Sequence, residues 1–258
     1  VERFHDTIET HRTAFAFRGL DNAWSRIISV VTQPGVDFGH TSIYPFISEK
    51  AKPLSKAILE IDKLTFEAHS TDYQSNTALK ALTQNHFFFL KVGPELTFRF
   101  REAIWALAEI EEQISVNETS EIRNVLIHRM IESPANWKNY YSGLDDDVEQ
   151  LMVYSYSDRI RYYWSDKYVA SALSKLIINL SSKLLPETLI SQSFMGHEFG
   201  NIPTNPNHLI EGHIHKCVNR YFEAAGFKNA IIAKDAPTKE EDPEFRANVN
   251  IYQQDDQS

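Results

Sequence analysis

A chain of 258 residues, 42% hydrophobic and 24% charged, has the composition of a globular protein and the length for one large domain or two small ones. Its formal net charge of -9 argues against a surface that tracks nucleic-acid phosphates, and its one cysteine, Cys217, excludes an intrachain disulfide or a cysteine-based zinc cluster and fits a reducing compartment. No apolar run approaches the roughly 18 residues of a membrane span, and the opening residues do not read as a signal peptide, so no membrane is expected and the expected location is the cytoplasm. The chain starts without Met and directly on a helical pattern, from which a fragment of a longer protein is expected.

Residues 2–18 read as a helix, with Phe4, Ile8, His11 and Phe15 on one stripe and Gly19 suited to the left-handed position after its end. Asp21 is expected to cap a short helix reaching residue 26. The period then changes. The β-branched run 27–32, stopped by Gln33-Pro34-Gly35, reads as a buried strand. A helix over 51–63, a strand over 64–68, a short helix over 77–85, a strand over 87–92 and a long helix over 97–113 follow. Strand alternating with helix means βα units and a parallel sheet, with polar loops at the C-terminal strand ends where such folds place ligands. Beyond Gln113 only helices are expected: 118–132, 165–182 with Ser165 as cap, 187–199, and 207–225 stopped by Gly226. From residue 235 the polar, Gln- and Asp-rich end is expected to be disordered. The division expected is thus a βα part over 1–115, a helical extension over 116–230 and a tail over 231–258. Three parallel strands do not close a barrel. Either the helical half covers their open side, or further strands lie on residues absent from this sequence, which is the expectation preferred.

Three groups of residues have the types that carry chemistry. The strand-end loops offer Gln33 and His40, then Glu67, His69, Ser70, Thr71 and Asp72, then Lys91 and Gly93, all expected on one rim. Glu67 and His69, two apart, point the same way on a continuing strand, where they could bind a metal or share a proton. Lys91 with the amides near Gly93 could hold a phosphate. The plainer reading is a Glu67–Lys91 ion pair with His69 as a loop hydrogen-bond donor. His208, Glu211 and His215 share a helical face, with His213 nearby, but lack the His-Glu-x-x-His spacing of zinc hydrolases, so ordinary surface or core histidines are the preferred reading. In the tract 154–164, Ser157 could cap a helix whose Arg159 and Arg161 pair with carboxylates; Asp158, Tyr162, Tyr163 and Trp164 complete what is expected to be a structural and interfacial element. Cys217 reads as a core thiol. Glycine-rich phosphate loops and the Gly-x-Ser-x-Gly elbow are absent from the sequence.

Val31-Thr32-Gln33-Pro34-Gly35-Val36-Asp37-Phe38, Phe66-Glu67-Ala68-His69-Ser70-Thr71-Asp72-Tyr73-Gln74 and Leu90-Lys91-Val92-Gly93-Pro94-Glu95-Leu96-Thr97-Phe98 resemble the last three strand-loop segments of the KbaZ/GatZ family of D-tagatose-1,6-bisphosphate aldolase subunits. Arg101-Glu102-Ala103-Ile104-Trp105-Ala106-Leu107 and Ser155-Tyr156-Ser157-Asp158-Arg159-Ile160-Arg161-Tyr162-Tyr163-Trp164 extend the resemblance, which runs in order from about Thr10 to Tyr221. It implies an α/β fold: the C-terminal part of a (β/α)8 TIM-type barrel, about three βα units, followed by the helical extension. It further implies a subunit that is not catalytic alone. Such a subunit supports the stability and activity of a separate class II aldolase catalytic subunit in galactitol or N-acetylgalactosamine catabolism. No cofactor is implied for this chain; a divalent metal, expected to be zinc, belongs to the partner, and a sugar phosphate is a conceivable ligand. The family's Gly-Asp-His-x-Gly-Pro loop and earlier acidic strand ends are missing here. The alternative is a metal-dependent sugar-bisphosphate lyase working through the strand-end loops. The family's older name, tagatose-6-phosphate kinase, finds no kinase glycine loop or catalytic Asp/Asn set in this sequence.

Overall fold

The computed structural model describes residues 1–114, 116–194 and 200–227. Three short strands, β1 (Ser29–Val31), β4 (Thr65–Ala68) and β5 (Phe87–Leu90), form a parallel sheet in the order β1-β4-β5. They lie inside the three runs read from the sequence. Val31 pairs with Glu67 and Glu67 with Phe89, with an irregularity between Phe66 and Glu67. On β4 the side chains alternate: Phe66 and Ala68 are buried, whereas Thr65 and Glu67 are half-buried. The buried face packs on a cluster that includes Phe4, Val36, Ile58, Leu79, Leu82 and Phe87, with the Phe66 and Phe87 rings stacked at 4.8 Å. The other face is open, leaving Val31 55% and Phe89 41% exposed.

Helix α1 (Glu2–Phe17) ends where Gly19 adopts φ +65°, as its sequence position requires. Only Phe4 of its stripe is buried; Ile8 and Phe15 are half-buried and His11 is exposed. Helix α2 (Asp21–Trp24) stops two residues early, and Asp21 lies inside its first turn with no side-chain cap preceding it. A second sheet was not anticipated: β2 (Asp37–Phe38) and β3 (Ile43–Tyr44) form an antiparallel hairpin in the connection after β1, closed by the Gly39 amide donating to the Ser42 carbonyl at 2.8 Å. Helix α3 runs over Ser48–Ile58, and Lys63, placed in that helix from the sequence, instead has φ +63° in a turn. Helix α4 (Asn76–Gln84) is capped by Ser75, whose hydroxyl accepts from the Ala78 amide at 3.1 Å. Helix α5 (Pro94–Gln113) begins three residues earlier than its apolar pattern implies, because Pro94 tolerates the first turn.

The remainder is helical: α6 (Ile122–Glu132), α7 (Asp145–Tyr154), α8 (Lys167–Ser181), α9 (Glu187–Ser193) and α10 (Pro206–Ala224). Helix α7 escaped the sequence reading, although Asp145, Asp146 and Asp147 suit the positive end of a helix. Asp166, not Ser165, caps α8, its Oδ1 accepting from the Tyr168 amide at 2.9 Å. These helices enclose a second apolar cluster around Ile104, Leu107, Leu126, Met130, Leu176 and Leu180. Helix α10 belongs to both clusters, through Leu209 at one end and Ala224 at the other. Among the described residues no helix is long and apolar enough to cross a membrane. The expected tail, 231–258, lies outside the described residues.

Replacing Phe87, fully buried and stacked, by Ala should lower the unfolding free energy by about 3–5 kcal/mol, read from urea titration of the variant beside the parent.

Candidate functional site at the strand ends

The loop after β4 is the most constrained part of the rim. Ser70 and Tyr73 both take positive φ, at 55° and 62°. Thr71 is buried and donates through Oγ1 to the Lys91 carbonyl at 3.0 Å. Asp72 Oδ1 accepts from the amides of Gly93 at 2.8 Å and Glu95 at 2.9 Å, so a side chain from the neighbouring loop satisfies the open amides at the start of α5. The amides expected to hold a phosphate beside Lys91 are therefore already engaged. Burial raises the Asp72 carboxyl and the nearby Glu95 charge adds to this, while the backbone donors oppose it. Gln74 Nε2 and Oε1 bridge to the Tyr44 carbonyl and the Phe46 amide, both at 3.0 Å.

Glu95, unremarked in the sequence, is the centre of this network. Its fully buried carboxylate accepts from the Tyr73 amide and the Tyr221 hydroxyl, both at 2.7 Å, and from Arg220 Nη1 at 2.8 Å, with Arg99 Nη2 at 3.4 Å. Burial alone would raise its pKa, but these donors and cations outweigh it and hold the carboxyl below the usual range. Arg220 continues to Asn76 Oδ1 at 2.8 Å and to the Gln74 carbonyl; Tyr221 also reaches the Thr71 carbonyl at 3.1 Å. Helix α10 thereby clamps the β4 loop. Cys217, on the same helix, is buried, and burial followed by the Glu95 charge pushes its thiol up to about 12; it is an inert core thiol.

Glu67, His69 and Lys91 stand apart from this network. His69 Nε2 lies 2.9 Å from Glu67 Oε1, both side chains about one-third exposed. Glu67 thus pairs with His69, not with Lys91, whose side chain is exposed. Gln33 folds back on its own loop, donating to the Val36 carbonyl at 2.5 Å. Two donors fall short of a zinc ligand set, and among the described residues no three His, Cys, Asp or Glu side chains converge on a metal-holding position. His208, Glu211 and His215 are exposed, while His213 Nε2 lies 3.0 Å from Glu102 Oε2.

The tract 155–164 is far from the loops in sequence but touches them in space. Tyr73 donates its hydroxyl to the Tyr156 carbonyl at 2.7 Å, and the Tyr156 amide donates to the His40 carbonyl at 2.8 Å. Asp158, at φ +44°, accepts from Thr97 Oγ1 at 2.5 Å and Arg101 Nε at 3.3 Å. Burial raises its carboxyl, against the pull of these donors. The segment Arg159–Tyr163 is a 3-10 turn without a side-chain cap, so Ser157 does not cap a helix there. The arginines do not pair with carboxylates as the sequence reading held. Arg159 donates to the Asn136 carbonyl and lies 3.3 Å from the Tyr140 ring centroid, and Arg161 donates to the Ser157 carbonyl and to Tyr162 Oη at 2.9 Å. Tyr163 donates to the Ser133 carbonyl, and Trp164 packs edge-on against Phe100 at 4.9 Å.

Glu95→Gln should cost roughly 2–4 kcal/mol at neutral pH, since it leaves two arginines facing a neutral amide. The native carboxyl has a depressed pKa, so the unfolded chain takes up its proton first; the stabilisation is complete above the ordinary Glu value of about 4.3 and fades as the pH falls through the lower native value. The difference in urea midpoint between parent and Glu95→Gln should accordingly shrink below about pH 4.

A family model described as D-tagatose-1,6-bisphosphate aldolase subunit GatZ/KbaZ-like matches residues 1–226. The crystal structure of a probable tagatose 6 phosphate kinase from Sinorhizobium meliloti 1021 superposes with a TM-score of 0.82 at 36% sequence identity, covering 86% of this chain and 59% of that one. The chain thus spans about three-fifths of that relative's length.

Proposed function

Because this chain belongs to the GatZ/KbaZ-like family of D-tagatose-1,6-bisphosphate aldolase subunits, we propose that it serves as the non-catalytic subunit of such an aldolase. In this reading it stabilises and supports a separate class II catalytic subunit in galactitol or N-acetylgalactosamine catabolism, and the divalent metal, zinc, resides in that partner. The observation that carries the reading is the state of the strand-end loops: Thr71 is bonded to the Lys91 carbonyl and Asp72 to the amides of Gly93 and Glu95, leaving a scaffold in place of an open set of reacting groups. The aromatic and arginine-rich 158–164 tract, with Tyr162 exposed, offers the residue types that anchor interfaces.

The sheet is, in the same proposal, a sector of a (β/α)8 barrel formed by residues 1–115, with 116–230 as its helical extension. The open Val31–Phe89 face and the relative's greater length support further strands packing there. One observation favours the alternative, a metal-dependent sugar-bisphosphate lyase: the Glu67–His69 pair is about one-third exposed at the rim. The assay that separates the two uses tagatose 1,6-bisphosphate and zinc. The chain alone should give no cleavage, and added class II subunit should turn over faster and survive heating longer in its presence. Cleavage by the chain alone, lost in Glu67→Gln, would establish the lyase instead.

A further inference from the structure

We infer that a cavity between the β2–β3 hairpin, α5 and the end of α7 is a binding site for a small, ring-bearing monocarboxylate. The cavity measures about 400 Å3, within the span of small-molecule sites. Phe98, Trp105, Tyr154 and Tyr156 supply aromatic walls, and Arg101, Glu102 and His40 the polar ones.

Arg101 decides the chemistry. The residue is 2% exposed, and its guanidinium carbon lies 4.2 Å from the Phe98 ring centroid and 5.7 Å from that of Tyr154, so the group is held rigidly against two cavity walls. Only Nε meets Asp158, at 3.3 Å; among the described residues the two Nη groups have no hydrogen-bond acceptor. The polar side-chain atoms that are both enclosed and unpartnered among those residues are Arg123 Nε and Trp164 Nε1, so the Arg101 Nη groups reach the cavity's open space. A fixed planar fork of N–H donors matches a carboxylate in shape and charge.

Charge balance rules out a multiply charged anion. Asp158 already neutralises Arg101, and Glu102, held ionised by Arg99 at 2.8 Å and His213 at 3.0 Å, borders the cavity with a second carboxylate. A dianion such as phosphate would face both. His40 contributes packing, since Nε2 donates to the Tyr140 carbonyl at 3.0 Å and Nδ1 lies 3.2 Å from Ser155 Oγ. The aromatic walls favour a ring over an aliphatic acid. The site shares no residue with the Glu67–His69 pair and does not depend on the aldolase reading.

Para-fluorobenzoate titrated into the whole chain and followed by fluorine NMR tests this, with neutral para-fluorobenzamide and inorganic phosphate as competitors. Saturable binding is expected, with a dissociation constant on the order of 1 mM or tighter. Arg101→Lys and Tyr154→Ala should each weaken it about tenfold, and Thr41→Trp, which fills the cavity from an exposed position, should abolish it. Should Arg101→Lys fail to fold, Tyr154→Ala and Thr41→Trp carry the test, both replacing exposed residues. The inference is overturned by an absence of saturation at about 10 mM, by unchanged affinity in those two variants, or by equal competition from the amide or phosphate.

Discussion

One carboxylate, that of Glu95, fixes the geometry of the rim. Buried and ionised, it demands donors on every side, and it draws them from three separate parts of the chain: the Tyr73 amide in the β4 loop, Arg99 on its own helix, and Arg220 with Tyr221 on α10. A buried charge costs far more when a partner is missing than the complete pair contributes, so the network acts as a positional constraint more than as a source of stability. Asp72 carries the constraint onward by holding the start of α5. The strained backbone at Ser70 and Tyr73 persists because so many bonds over-determine it.

The two halves of the described chain divide the work differently. The sheet half is apolar and covered on one face and open on the other, with Val31, Glu67 and Phe89 abreast across three strands. The helical half is enclosed around its own cluster, and its buried Glu111 is satisfied within that half, taking the Ser120 amide and hydroxyl at 2.9 and 2.6 Å and Asn179 Nδ2 at 2.6 Å. A parallel sheet with one face covered and one open thus lies beside helices that close on their own apolar cluster.

The parallel strands were legible in the sequence because β-branched and aromatic runs between helical periods have few other solutions. The β2–β3 hairpin was not, because two-residue strands carry no period, and α7 was hidden by an acidic start that resembles a loop. Glu67 and His69 do share a face, as alternation on a strand requires. Glu95 gave no signal: an acid in the first turn of a helix normally faces water, and its partners Arg220 and Tyr221 lie 125 and 126 residues away. Distance along the chain likewise hid the Tyr73–Tyr156 bond, which joins the 154–164 tract to the rim across 83 residues.

The clamp of α10 on the β4 loop also has a meaning in time. Thr71 and Tyr221 are 150 residues apart, and a ribosome adding about 5–20 residues per second needs roughly 8–30 s to make the intervening chain. Throughout that interval the nascent β4 loop carries a polar interior without its last donors. Closure of so long a loop also slows folding once the chain is complete. The β4 loop thus stays without those donors until α10, made 150 residues later, arrives to lock it.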